Sequence, residues 1–294
     1  MKIKQTNGDR IFTFAIYSIL VLCLIVCLYP LYLVLINSIS DPIAVGQGDV
    51  MLYPVGITLE AYKMVFEDGE IMRGYMNSLY YTVFGTLLNM FLTIPAGYAL
   101  SKKRLAGRNV VMMMIVFTMY FSGGLVPTYL VLRGLNLLNT RWVVLLVGGV
   151  QTTNLIIART FFQSGVPQEL EEAAEIDGCS TLQIFLQIVL PLSKAMLGVI
   201  ALYYAVSRWN AYTSSLYYQP MAAEYHSLQM VLRKLLMTIK TIVDIDSDKV
   251  EYYAKLANQM KYAVIVIASV PMLVIYPFVQ KYFEKGVMIG SVKG

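Results

Sequence analysis

Five stretches of this 294-residue chain carry no charged side chain: residues 11–40, 74–101, 109–132, 142–158 and 262–280. A weaker pair, 195–207 and 209–223, is divided by Arg208. About 20 apolar residues cross the roughly 30 Å hydrocarbon layer of a bilayer, so these runs predict six membrane-spanning helices, the fifth being the least regular. In hydrocarbon a backbone has to satisfy its own polar groups, which leaves helices or closed barrels. The runs show no period-2 alternation, and a barrel is therefore excluded. Composition agrees: 57% of residues are hydrophobic and 14% charged, with a mean hydropathy of +0.62, outside the range of ordinary soluble domains. The expected fold class is all-α and polytopic.

Charge sets the expected orientation. The N-terminal segment carries Lys2, Lys4 and Arg10, and the segment "SKKRLAGR" after the second run packs Lys102, Lys103, Arg104 and Arg108. Short loops rich in Lys and Arg stay cytoplasmic, so both termini are placed inside. The loop at 41–73, with six acids against Lys63 and Arg73, suits the outside. The loop at 220–261 conflicts, because Arg233, Lys234, Lys240, Lys249, Lys255 and Lys261 would lie outside; the early helices are given precedence. The first run is too long for a secretory signal and lacks a small-x-small cleavage site, so it reads as a retained helix.

Several function classes drop out. Cys23 and Cys27 lie one helical turn apart in the first run and Cys179 lies in a loop, which makes no disulfide framework. His226 has no Cys or His at ligand spacing, so no zinc set is read. The net charge of +5 is spread over both membrane faces and points to no nucleic acid. An intramembrane enzyme would need a nucleophile with its base, paired carboxylates or a metal cluster at membrane depth; the runs supply none.

Between the fourth and fifth runs lies "ELEEAAEIDGCSTLQIFLQIVLPLS", residues 169–193, with five acids in its first nine positions: Glu169, Glu171, Glu172, Glu175 and Asp177. Acids gathered near the start of a helix suit the macrodipole. Pro167 favours a start there, Gly178 a stop, and Ser180 an N-cap for a second helix before Pro191. Helix chemistry alone leaves two readings open: a solvated interfacial hairpin or a docking element.

The stretch resembles the EAA loop of ABC importer permeases, which reads Glu-Ala-Ala, three residues, Gly, nine residues, Ile, one residue, Leu-Pro. Glu172, Ala173, Ala174, Gly178, Ile188, Leu190 and Pro191 fill its fixed positions. "FSGGLVPTYLVLRGLNLLNTRWVVLL", "NLIIARTFFQS" and "YPFVQKYFEKGVMIGSVKG" are similar to the carbohydrate-importer branch, and within it to permeases of the lipoprotein-dependent, complex-oligosaccharide type. The resemblance covers nearly the whole chain, most specifically residues 75–294.

It implies a type I permease fold of six spans over 1–294, with a transmembrane core at about 75–283. It also implies a cytoplasmic coupling loop at 164–190, an extracytoplasmic loop at 220–261 and a cytoplasmic tail at 284–294. The implied partners are a second, homologous permease, two ATPase subunits holding ATP and Mg, and an extracytoplasmic solute-binding protein. The setting is a bacterial cytoplasmic membrane and the cargo an oligosaccharide. The resemblance places Glu172, Ala173 and Ala174 in an ATPase groove, and runs Val292, Lys293 and Gly294 into the ATPase interface; a frayed end is the plain alternative.

The residues support this division of labour. The sequence holds no Gly-x-x-x-x-Gly-Lys-Ser/Thr and not even a Gly-Lys pair, so the phosphate-cradling loop of an ATPase is missing. Ion-driven carriers keep titratable groups within their spans; the uncharged runs hold no acid or lysine, which disfavours the alternative of a secondary, ion-coupled transporter.

Three features remain open. Gly123 and Gly124, three residues before Pro127, should break the third span, as a packing kink or as part of a wet path. Arg208, about 25 Å along a continuous helix from Pro191, is either an interfacial anchor beside Trp209 or, with Trp209 and Asn210, a cavity lining whose indole stacks on sugar. The segment 225–243, apolar and basic, either lies on the membrane or reaches a binding protein. The purified chain alone is expected to show no saturable ATP binding at micromolar nucleotide in equilibrium dialysis, while the assembled complex hydrolyses ATP.

Overall fold

The computed structural model describes residues 7–242, 256, 259–275 and 277. The tail with Val292, Lys293 and Gly294, and the cations Lys249 and Lys255, lie outside the described residues. Those described form helices joined by turns, in two compact units: residues up to Gly69 with Leu232–Ser269, and Glu70–Val231 with the residues from Val270 on.

In the first unit, α1 (Asn7–Ser38) is apolar on every side and its side chains are almost all exposed, as befits a helix whose solvent is lipid. At about 1.5 Å per residue its length of 32 residues is more than a bilayer requires. Asp41 then caps α2 (Pro42–Gln47), accepting from the N–H groups of Ile43 at 2.8 Å and Ala44 at 3.3 Å. A short helix α3 (Glu60–Glu67) follows. Ile36, Ala44 and Val50 form a small core, and the Gln259 amide donates to the Ser40 carbonyl at 2.6 Å.

The second unit starts in α4 (Gly69–Ser101), the other helix long and apolar enough to cross a bilayer unbroken. The third run is split, as the sequence anticipates: α5 (Arg108–Tyr120) and α6 (Leu125–Gly134) meet at 117°. The glycines make this break, since Gly124 sits at φ +84° where a side chain would be strained. Pro127 falls in the first turn of α6, where its missing N–H leaves no helix bond unmade.

The fourth run, expected as one span over 142–158, is instead two helices. They are α7 (Arg141–Leu146) and α8 (Thr152–Ser164), separated by a non-helical segment with Gly148 at φ +71°. The fifth is bent away from the helix that precedes it. After α9 (Gln168–Ile176), α10 (Thr181–Leu192) meets α11 (Lys194–Trp209) at 83°, so the path from Pro191 to Arg208 is not one straight helix. No separate span covers 209–223; a short helix α12 (Thr213–Tyr218) lies there, before α13 (Leu228–Ile242). The described part of the last run is α14 (Gln259–Ile275).

Ile94, Tyr98, Ala158, Phe162, Ile200 and Tyr204 form the main core of this unit, where α4, α8 and α11 meet. Gly97 sets the spacing: a Cβ there would lie 2.7 Å from the Ala158 Cβ and 3.2 Å from the Arg159 nitrogen. Neither neighbour is the end of a flexible side chain, so the helices would have to separate. Gly97→Ala is expected to cost about 1–3 kcal/mol by overpacking, read as an earlier thermal unfolding of the chain in detergent.

Candidate functional site

The EAA segment folds as its sequence dictates. Pro167 precedes α9, and Glu169 and Glu171 lie in its first turn. Gly178 at φ +83° ends it, with the Cys179 N–H donating to the Ala174 carbonyl at 2.9 Å. Ser180 and Gln183 form a reciprocal capping box at the start of α10. Residues 185–189 of that helix widen to a π turn just before Pro191, with the Leu190 N–H reaching back to the Phe185 carbonyl. Ile188 and Leu190 pack partly buried against the main core.

Helix α9 has two distinct faces. On the inner one Glu171 is buried, paired with Lys102 Nζ and accepting from the Tyr98 hydroxyl at 3.3 Å. The Lys102 ammonium also sits over the Tyr98 ring, 4.2 Å from its centroid. One turn on, Glu175 accepts from Arg104 Nη1 at 2.5 Å, and Arg104 also donates to Thr181 Oγ1 at 3.4 Å. Ala174 lies on this face too, buried in the main core with Tyr98, Phe162 and Ile184. Ala174, which the resemblance places with Glu172 and Ala173 on the docking side, is buried on the face of Glu171 at i+3, while Glu175 at i+4 lies at the exposed edge of that face beside Arg104.

The outer face carries Glu169, Glu172, Ala173 and Ile176, all exposed, Ile176 to 86%. The Gln168 amide donates to Glu172 Oε1 at 2.6 Å along this face. An open cleft of about 490 Å³ lies between α9 and the basic segment after α4, lined by Lys102, Arg104, Arg108, Glu171, Glu172 and Glu175.

The residues considered for a substrate path are not brought together as the sequence proposes. Arg208 is neither an interfacial anchor nor a cavity cation: it is buried and donates to the carbonyls of Val144, of Leu145 at 3.0 Å and of Val147 at 3.1 Å, and to Asn89 Oδ1 at 2.8 Å. Its guanidinium thus caps the C-terminal end of α7, where carbonyls lack helical donors. Trp209 is 2% exposed and meets Tyr75 edge-on at 5.7 Å, so its indole presents no face to a cargo. Asn210 is exposed, with its amide donating to the Val206 carbonyl at 2.9 Å. Gly123 and Gly124 are exposed at the α5–α6 break.

The segment before α13 is also pinned within the chain. Asn77 of α4 donates to the carbonyls of Glu224 at 2.8 Å and His226 at 3.0 Å, and the Tyr81 hydroxyl donates to the Tyr225 carbonyl at 2.8 Å. Leu228 and Val231 of α13 are buried, and Val231 and Leu228 lie against Gly74 of α4.

Sequence reasoning missed the two cations that hold α9. Their signal was present: a basic cluster and an acidic helix had both been assigned to the same membrane side, and opposite charges there had a reason to pair. The two pairs differ in weight. Lys102 and Glu171 have side-chain exposures of 20% and 11%, whereas Arg104 and Glu175 have 56% and 43%. Removing one member of a nearly buried pair strands its partner, at about 3 kcal/mol; an exposed pair contributes about 0–1 kcal/mol. Lys102→Ala is therefore expected to lower thermal stability clearly, the exchange Lys102→Glu with Glu171→Lys to restore part of it, and Arg104→Ala to change it little.

Residues 71–289 match a family model described as binding-protein-dependent transport system inner membrane component. The polygalacturonan/rhamnogalacturonan transport system permease protein YtcP of Bacillus subtilis (strain 168) is 38% identical over 286 residues, 97% of this chain and 99% of its own. Protein LplC of the same organism is 40% identical over 269 residues, 92% of this chain and 90% of its own. The solved structure of a bacterial ABC transporter involved in the import of the acidic polysaccharide alginate contains a chain that superposes with a TM-score of 0.86 at 36% identity. That match covers 96% of this chain and 100% of the other. With most of its length matched, this chain belongs to the family of binding-protein-dependent transport system inner membrane components, as a permease of the ABC importer fold.

Proposed function

We propose that this chain is one of two permease halves of an ATP-driven importer of oligosaccharides, in a bacterial cytoplasmic membrane, with six spans and both termini in the cytoplasm. The bent pair α5–α6 counts as a span, α7 with α8 as another, and α11, after its bend from α10, as a third. The ion pairs Lys102–Glu171 and Arg104–Glu175 support the orientation, since they tie the basic loop and the EAA helix to one membrane side. The core at about 75–283 forms half of the path, with the break at Gly123 and Gly124 in its wall. The coupling loop at 164–190 meets an ATPase subunit, the loop at 220–261 faces a solute-binding protein, and the tail at 284–294 contributes to the ATPase interface. ATP and Mg belong to two ATPase subunits outside this chain.

The observation that carries the reading is the two-faced α9. Its inner face is fixed to the chain's own core and its outer face, Glu169, Glu172, Ala173 and Ile176, is bare. A force applied to the outer face would pass through Glu171 and Ala174 to α4 and α8, moving the spans as rigid bodies. The sugar assignment draws on the relatives: the names of two similar proteins specify a polygalacturonan/rhamnogalacturonan transport system and import of an acidic polysaccharide. Arg208 lends no support to an acidic cargo, because carbonyls and an amide oxygen already surround its guanidinium.

Ile176→Asp removes an apolar contact worth about 1.5–3 kcal/mol when buried, and Glu172→Lys reverses a charge at the same contact. Both are expected to insert normally and keep the partner permease, but to lose tenfold or more of the co-purified ATPase subunits and the uptake with them. Ala174→Trp is expected to act differently, by destabilising the permease itself. Full ATPase retention and full uptake in both outer-face variants would leave α9 a solvated interfacial segment. Uptake in membrane vesicles supplied with ATP is expected to survive collapse of the proton and sodium gradients.

A further inference from the structure

The segment that separates α7 from α8 lies at membrane depth. Under the topology proposed above, Ser164 is at the cytoplasmic end of α8 and Lys194 at that of α11. Gln151 is 13 residues from Ser164 and Ser207 is 13 residues from Lys194, so both stand about 20 Å up their helices at 1.5 Å per residue. That is inside a hydrocarbon layer about 30 Å thick.

At this level the chain exposes groups that lipid does not tolerate. Gly148 and Val150 are exposed in the non-helical stretch, and Ser207 is exposed beside them. The Gln151 side-chain amide donates to Ser207 Oγ at 2.9 Å, and the Gln151 backbone N–H donates to the Tyr204 hydroxyl at 3.1 Å. Buried Asn154 donates to Gln151 Oε1 at 3.3 Å, which settles the orientation of the glutamine amide. Asn210, exposed, lies one turn beyond Ser207 on α11. Irregular backbone within a membrane is stable only where protein or water covers it, and this seam is uncovered by its own chain.

We propose that Gln151 and Ser207 face the wet translocation path and donate hydrogen bonds to the hydroxyl groups of the passing sugar. The chemistry fits: an amide has two N–H donors and the bond to Ser207 uses one, while a serine hydroxyl that accepts that bond keeps its own proton to give. Arg208 is a positioning residue here. Together with Tyr204 it holds the broken backbone from behind, bonding Val144, Leu145, Val147 and Gln151 from a single helix, so that the seam opens towards the path.

This inference rests on the proposed function, and the test separates the two. The whole importer, purified with its own partners and reconstituted, is assayed with a galacturonate oligomer and with a neutral maltodextrin of equal length. The double variant Gln151→Leu, Ser207→Val is expected to reduce uptake of the transported sugar about tenfold, as two lost hydrogen bonds would, with subunit composition unchanged. Ser207→Thr, which keeps the hydroxyl, is expected to retain most of the uptake. In a chain with Cys23, Cys27 and Cys179 replaced by alanine, Ser207→Cys is expected to react with a water-soluble cationic thiosulfonate in the assembled complex, and the reaction to block uptake. Uptake by the double variant equal to wild type, loss of the partner permease from it, or no reaction of Ser207→Cys in any nucleotide state would each overturn the assignment. Wild-type complex that imports neither sugar would instead overturn the oligosaccharide reading itself.

Discussion

A backbone group left without a partner in hydrocarbon costs several kcal/mol, and among the described residues this chain breaks its apolar helical stretches at three places. The interruption between α7 and α8 is the one the second unit is built around. A six-residue helix ends there, and the donors its last carbonyls need come from the side chain of Arg208 on α11. A charge is stable there because the carbonyl end of a helix is the electronegative end of its dipole, and because Asn89 accepts one more of its protons. Among the described residues no carboxylate pairs with it. The arginine is therefore a structural cation, held by dipoles alone.

The same helix, α11, brings Tyr204 to the other side of the break. Its hydroxyl lies 2.6 Å from that of Thr93 on α4 and accepts from Gln151 at 3.1 Å. Three helices are thus joined by polar contacts at the outer end of the core and by close apolar packing at the inner end, where Gly97 and Ala158 touch. Under the coupling role proposed for α9, a block so joined passes its motion on as a rigid body.

At α9 the connection is electrostatic. Glu171 and Glu175, one turn apart on α9, each find a cation from the loop that follows α4. The buried pair matters more than the exposed one, since little water remains to screen it. Cations that a sequence reading assigns to membrane orientation therefore have a second task, which is to hold α9 against the core while its opposite face stays exposed.

Much of this was legible in order along the chain. Uncharged runs located the helices, because lipid penalises charge irrespective of what packs nearby; glycines at 124 and 178 located two breaks, because the positive φ each adopts is strained with a side chain. The spacing of Glu172, Ala173, Ala174, Gly178 and Pro191 pointed to the coupling loop. The direction each side chain takes was not legible. Ala174 turned inward, Ile176 outward, and Arg208 met carbonyls more than 60 residues away. Local sequence determines where a helix begins and ends through caps, prolines and glycines, all acting within a few residues. Which face it shows, and which distant backbone group a buried cation satisfies, depends on what other helices leave unpaired, and only the assembled tertiary structure decides that.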